Sequence, residues 1–364
     1  MSTTITFDPE TLPALQEQQI QRPWRHKPIK FTASIIIASI IPFVVVAALF
    51  FTSEIPGAIL MTVVYFPLQL IAAGIAGFAT RGQRGILDSV IIVTSIGATI
   101  FSMVVLVSVI GSLIVRGFAA LSAHFIYQNN VYISPSTPLE YGGIGHAILG
   151  TLLIVTISAL IAVPIGIATA VYITEVRGGA VPYVRFFVQA MSGVPSVVAG
   201  LFILTIIVAT DGVFEQGAFA GGLAYAILML PTVARTAEEV LKLVPEDLRT
   251  GALALGSTRA RTVYRVVLPA AKTGIITAVI LGIARVIGET APLLLAAGNS
   301  DQTVVNPFGG PISAVPTYVF NNVALPYPDA VARAWASALV LLILVGILFV
   351  AARLIGRGRQ GSKR

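Results

Sequence analysis

Apolar residues in this chain run in long unbroken blocks instead of alternating with polar ones, and each block is about 20 residues or more, the length a helix needs to cross a bilayer. Eight such blocks predict eight spanning helices, at 31–52, 57–79, 86–115, 146–174, 182–209, 218–240, 271–297 and 329–355. Polar residues collect in the gaps. The gap 241–270 is amphipathic and basic, whereas 298–328 has no Lys or Arg, and 116–145 is a second long, polar, proline-containing connection. Loops of this length without internal periodicity are commonly functional. The expected fold class is therefore an all-α membrane protein, a polytopic helix bundle of about eight transmembrane helices.

Within 241–270 the pattern changes to a short helical period. Pro245 followed by Glu246 and Asp247 is a helix start, with acids placed against the positive end of the helix dipole. Leu248, Ala252 and Leu255 recur on one face, and Gly256 stands where a left-handed C-cap would end the helix. Ser257 or Thr258 caps a second helix, Val263, Val266 and Val267 line its apolar edge, and Pro269 marks the return to the membrane. A hairpin this small cannot bury a core of its own. It either lies on the lipid surface or serves as a knob for a partner.

Composition agrees with the pattern: 56% of residues are hydrophobic, 11% are charged and mean hydropathy is +0.91. A soluble domain carries about 25% charged residues. There is no cysteine, so disulfides and thiolate chemistry are excluded, and His26, His124 and His146 lie too far apart in sequence for a metal-ligand spacing. No cleavable signal is expected, because the first thirty residues are polar and proline-containing. The net charge of +7 is explained by asymmetry across the membrane. With the N-terminus in the cytoplasm, 20 of the 23 basic residues fall on the inner side, among them Arg22, Arg25, Lys27 and Lys30 in the tail, the seven from Arg235 to Lys272, and the five from Arg353 onward. Nucleic acid is not needed to account for this charge. The basic stretch 22–30 suits anionic membrane lipids.

Three basic residues depart from that rule. Arg116 and Arg333 lie at outer span edges, and Arg285 lies inside the block 271–297 with Glu289 four residues later. A charge within a membrane costs several kcal/mol unless it is paired or wetted, so it marks a candidate site. On one continuous helix this spacing places both side chains on one face. Two readings follow: a static bridge that fixes packing, or an anion contact at Arg285 gated by Glu289. Arg235, near the end of its span, Thr290 beside Glu289, and the hydroxyls of Ser192 and Ser196 are further candidates for a polar path. Around Ser192 and Ser196, Gly193, Pro195 and Gly200 favour helix packing.

Several stretches carry a resemblance. Gly256, nine residues, and then Val266-Val267-Leu268-Pro269 resembles the "EAA" loop of ABC-importer permeases, E-A-A-x3-G-x9-I-x-L-P. The family's Glu and first Ala are Thr250 and Gly251 here, and Ala252 alone is retained. The runs 142–174, SGVPSVVAG (192–200), LPTVARTAEEVL (230–241) and ARVIGETAPLLLAAG (284–298) are similar to phosphate-importer permeases, and GETAPLL resembles their A-type subunit more than the C-type. The resemblance implies a permease core over 86–355 with a coupling loop at 245–269, preceded by two extra helices within 31–85 and flanked by basic tails at 1–30 and 356–364. It implies no chemistry on this chain. ATP and Mg would sit on a separate ATPase dimer, consistent with the lack of a phosphate-cradling G-x-x-x-x-G-K-[ST] motif. Further implied partners are a C-type permease and an extracytoplasmic phosphate-binding protein. Glu246, Asp247, Arg249, Ala252, Leu255, Gly256, Leu268 and Pro269 would form the ATPase-coupling loop. The rival readings are a permease for molybdate or sulfate, an ATP-independent anion carrier, and a scaffold without transport.

Overall fold

The computed structural model describes residues 29–176, 178–209 and 215–356. The basic tail residues Arg22, Arg25 and Lys27, Arg177, and the C-terminal tail 357–364 lie outside the described residues. The chain divides into two compact units after Ser108. The first holds α1 (Phe31–Thr52), α2 (Leu60–Arg81) and the start of α3 (Gln83–Ala119), around Phe31, Ile35, Ala73 and Val93. Arg81 caps that cluster with its guanidinium 4.1 Å from the centre of the Phe31 ring.

The second unit is built around α8 (Ala218–Lys242), more deeply buried than the other long apolar helices. Small residues explain how so many helices reach it. Ala218, Ala220, Ala224 and Ala226 leave room for neighbouring backbones, the usual means of tight packing where lipid removes any hydrophobic drive between helices. Packed about α8 are α5 (Gly145–Val176), α6 (Val181–Ser192), α7 (Ser196–Val208), α11 (Lys272–Val286) and α12 (Ala291–Ala296). Their shared core contains Ile154, Tyr225, Met229, Val233, Val286 and Leu293. The final helix α14 (Pro328–Gly356) packs on α11.

Two expected spans are not continuous. The block 182–209 is interrupted after Ser192, and its halves α6 and α7 meet at 101°. The block 271–297 stops at Val286, with α12 starting only at Ala291. The cause is a glycine placed just ahead of a proline. Pro195 and Pro292 cannot donate to the carbonyl four residues back, and their rings collide with it. Gly193 and Gly288, within the four preceding residues, make it easy for the chain to leave the helix. Pro164 and Pro231 lack such a glycine, and α5 and α8 run through them. The two broken segments pack against each other at Gly200, where an added Cβ would lie 2.6 Å from Pro292 Cα. The packing reading for Gly200 and Pro292 follows from this contact.

The gap 241–270 forms the expected hairpin. It comprises α9 (Glu246–Ala254) and α10 (Arg259–Ala270), and α10 meets α11 at a bend of 72°. Gly256 takes φ of +81°, and Thr258 is the cap, accepting from the Arg261 N–H at 3.4 Å. At the opposite end, the two long polar connections fold on one another. The Asn130 N–H donates to the Asp301 carbonyl at 3.2 Å, and α4 (Ala123–Tyr127) and α13 (Val315–Val323) place Phe125, Val315 and Tyr318 in a common cluster with Ile144 and Ala336.

Candidate functional site

Arg285 occupies the last turn of α11, roughly 20 Å along the helix axis from Lys272 at 1.5 Å per residue. Because the helix ends at Val286, the four-residue spacing to Glu289 loses its meaning, and the two side chains form no ion pair. The Glu289 N–H instead closes a tight turn onto Val286 O, and its carbonyl accepts from the Tyr225 hydroxyl. Arg285 is exposed on this chain, and its guanidinium donates to Thr232 Oγ1 at 3.3 Å. Thr232 lies on α8 one turn before Arg235, which is also exposed, so these three side chains share one polar strip across α8 and α11. Thr290 sits half-buried in the break itself. Thr232 and Tyr225 were not marked by sequence pattern, since the residues they meet, Arg285 and Glu289, lie 53 and 64 positions away.

Ser192 and Ser196 flank the other break. The Ser192 hydroxyl donates to Val188 O at 3.0 Å within its own helix. Neither serine bonds to Arg285 or Glu289, so the structure leaves them apart from the strip on α8. Near the same end of α8, Glu238 receives Arg185 at 2.8 Å and Lys242 at 2.6 Å, which ties α6 to α8.

The first arm of the hairpin projects without a core: no residue of α9 is buried, and Leu248 and Leu255 are exposed, whereas α10 buries Thr262 and Val267. Asp247 and Gly256 are exposed as well, whereas Leu268 packs inward beside Leu241, Val244 and Val267. Arg249 also points inward. Its Nη2 donates to Glu175 Oε1 at 2.8 Å and to Leu241 O at 2.9 Å, its Nε donates to both Glu175 oxygens at 3.2 and 3.1 Å, and its Nη1 donates to Val244 O at 2.6 Å and Glu246 Oε2 at 3.1 Å. The planar fork of arginine suits this bidentate grip. The hydrogen bond to Glu175, above all, pushes the guanidinium even higher than its usual range, so it stays charged. Arg249 thus fastens the hairpin to the end of α5, to Leu241 O in the last turn of α8 and to Val244 O just beyond it. Sequence alone could not pair it with Glu175, 74 positions away.

A family model described as "Binding-protein-dependent transport system inner membrane component" matches residues 162–360. The chain is 41% identical over 250 residues to the phosphate transport system permease protein PstA of Mycobacterium leprae (strain TN), covering 68% of this chain and 81% of that one. It is 37% identical over 275 residues to PstA 1 of Mycobacterium tuberculosis (strain ATCC 25618 / H37Rv), covering 75% and 88%. Among solved structures, an inward-facing crystal form of the MetNI methionine ABC transporter superposes with a TM-score of 0.50 at 18% identity, covering 59% of this chain and 94% of that chain. That likeness concerns the fold alone. The chain belongs to the family of inner membrane components of binding-protein-dependent transport systems: it is a multi-pass membrane permease of the ABC-importer type, not an enzyme.

Proposed function

We propose that the chain is the A-type permease subunit of an ATP-driven importer of inorganic phosphate in a bacterial cell membrane, with both termini in the cytoplasm. It pairs with a C-type permease, and the path runs between the two. The hairpin at 245–269 receives one subunit of an ATPase dimer that holds ATP and Mg, and a phosphate-binding protein docks on the opposite face. The two N-terminal helices within 31–85 precede this core. The observation that carries the reading is the hairpin's first arm, which buries no residue and whose exposed Leu248 and Leu255 need a partner while Arg249 anchors it to the bundle. The names of the similar proteins support phosphate over molybdate or sulfate.

Arg285, with Thr232 and Arg235, is the anion-contacting strip in this proposal, and Glu289, Thr290, Ser192 and Ser196 stand at the breaks beside the path. An exposed, unpaired guanidinium at this depth is costly against lipid and acceptable against a wet path or a second chain.

The test is co-purification from mild detergent, followed by uptake into vesicles. Phosphate uptake that requires ATP and a bound ATPase is the expected outcome. A complex that carries molybdate or sulfate in preference to phosphate, or a chain with no ATPase bound, rejects the proposal. A finer check uses Gly256. Valine there must adopt a φ of +81°, a left-handed conformation costing roughly 1–2 kcal/mol or more for a side chain with a branched Cβ. Gly256→Val is expected to lower uptake at least tenfold while ATP hydrolysis continues, and Gly256→Asn, which tolerates that region, is expected to stay near wild type. Normal uptake by Gly256→Val would remove the hairpin from the coupling route.

A further inference from the structure

The two long connections at the end opposite the hairpin enclose a polar cavity of about 200 Å³. Liquid water occupies about 30 Å³ per molecule, so this space, about seven waters in size, admits a tetrahedral oxyanion together with several waters. Its wall includes Arg333, which is 2% exposed. One nitrogen of this guanidinium is consumed: Nη2 donates to Thr137 O at 2.7 Å, Pro138 O at 2.9 Å and Tyr141 O at 3.2 Å. Nε has no partner, and no carboxylate lies within ion-pairing distance among the described residues. Carbonyl dipoles orient a buried cation but do not neutralise it, and an uncompensated buried charge is strongly destabilising.

Tyr318, 3% exposed, lines the same cavity with its hydroxyl unpartnered. Its ring is held edge-on to His146, centroids 5.7 Å apart, so the hydroxyl has little freedom to turn elsewhere. Asn130, Asn299 and Asn322 add side-chain amides, and Asp301 places a carboxylate in the wall. Asn322 Nδ2 already donates to Tyr318 O at 2.9 Å and Asn130 Oδ1 is unpartnered, so the unused donors are Arg333 Nε and the Tyr318 hydroxyl, with Asp301 the one anionic acceptor in the wall.

We propose that this cavity is a binding site for hydrogen phosphate, formed by this chain alone and separate from the strip at Arg285. Arg333 supplies the compensating charge, and its Nε and the Tyr318 hydroxyl donate to the anion's unprotonated oxygens. Asp301 accepts from its P–OH. That last contact sets selectivity, because phosphate carries a proton at neutral pH and sulfate carries none, so sulfate would meet the Asp301 carboxylate without a hydrogen to share. The proposal rests on the orientation and substrate given above, which place the site on the face where phosphate arrives.

The test is equilibrium dialysis of labelled phosphate against the full-length chain in lipid nanodiscs, at constant ionic strength, with sulfate as competitor. Saturable binding of one phosphate per chain is expected, with sulfate at least tenfold weaker. Tyr318→Phe keeps the ring and its packing and removes one donor, so roughly tenfold weaker phosphate binding is expected from the loss of a hydrogen bond to a charged group. Arg333→Gln should abolish binding, and Asp301→Asn should bring sulfate to within a few-fold of phosphate. No saturable binding by the wild-type chain, or binding unchanged in Tyr318→Phe, overturns the proposal even if Arg333→Gln fails to fold. Phosphate uptake by the whole complex read alongside separates the two ideas. Uptake without binding here rejects only this site, whereas binding without uptake rejects the importer reading and leaves the site standing.

Discussion

Arg249→Ala is expected to produce the largest loss of coupling of any single change in the hairpin. The Arg249 side chain is 11% exposed and grips a Glu175 side chain that is 8% exposed, while it also donates to Leu241 O at the end of α8 and to Val244 O just beyond it. Removing one partner of a buried pair costs about 3–5 kcal/mol, because the remaining charge stays buried without compensation. The hairpin has no buried residue in α9 to absorb that loss. The spans do not depend on it, so the chain should still reach the membrane. Uptake and ATPase co-purification should fall together by at least ~100-fold, as 3 kcal/mol is two decades in an equilibrium.

Glu175→Ala should match it. Changing both residues to methionine should do less harm than either alanine alone, because no orphan charge is left behind. Uptake and ATPase retention measured over that cycle decide the matter. Strictly additive losses would mean that Arg249 and Glu175 do not act as a pair, and a fully active Arg249→Ala would remove the strut altogether.

Arg285→Gln is expected to leave assembly intact and cut uptake by about 100-fold or more. The residue is exposed on the isolated chain, and its hydrogen bond to Thr232 is long at 3.3 Å, so its folding role is small. In a low-dielectric path a guanidinium is a strong stabiliser of a dehydrating oxyanion, and glutamine offers an amide without charge. Arg285→Lys keeps the charge and loses the planar fork, so an intermediate rate is expected. The measurement is initial-rate uptake with complex quantified by co-purification. A normal rate in Arg285→Gln would sink the anion-contact role, and loss of the complex would assign the residue to assembly. A bridge to Glu289 has no part in this prediction, because the helix break has separated the two.

Much of this fold is legible in the sequence, for a simple physical reason: burying a helical backbone in hydrocarbon demands a long apolar block, and the block is visible residue by residue. The predicted 218–240 became Ala218–Lys242, and 329–355 became Pro328–Gly356. The hairpin was legible too, because Gly256 and Thr258 act on their immediate neighbours. The breaks at 193–195 and 287–290 were legible in principle, through glycine followed by proline, yet apolarity alone runs across both and hides them. For that reason the Arg285–Glu289 spacing misled.

The membrane class, the apolar helical blocks, the uneven distribution of basic residues and the spacing from Gly256 to Pro269 thus came from sequence by itself, since each depends on local composition or on residues a few positions apart. The tertiary structure alone decided which charges meet. Glu175 reaches Arg249, Thr232 reaches Arg285, and Arg333 closes on carbonyls almost 200 positions away, at Thr137 and Pro138. Those partners are set by how helices stack around the small-residue surface of α8 and by how the two long polar connections fold together, and no local pattern encodes a distance between side chains so far apart along the chain.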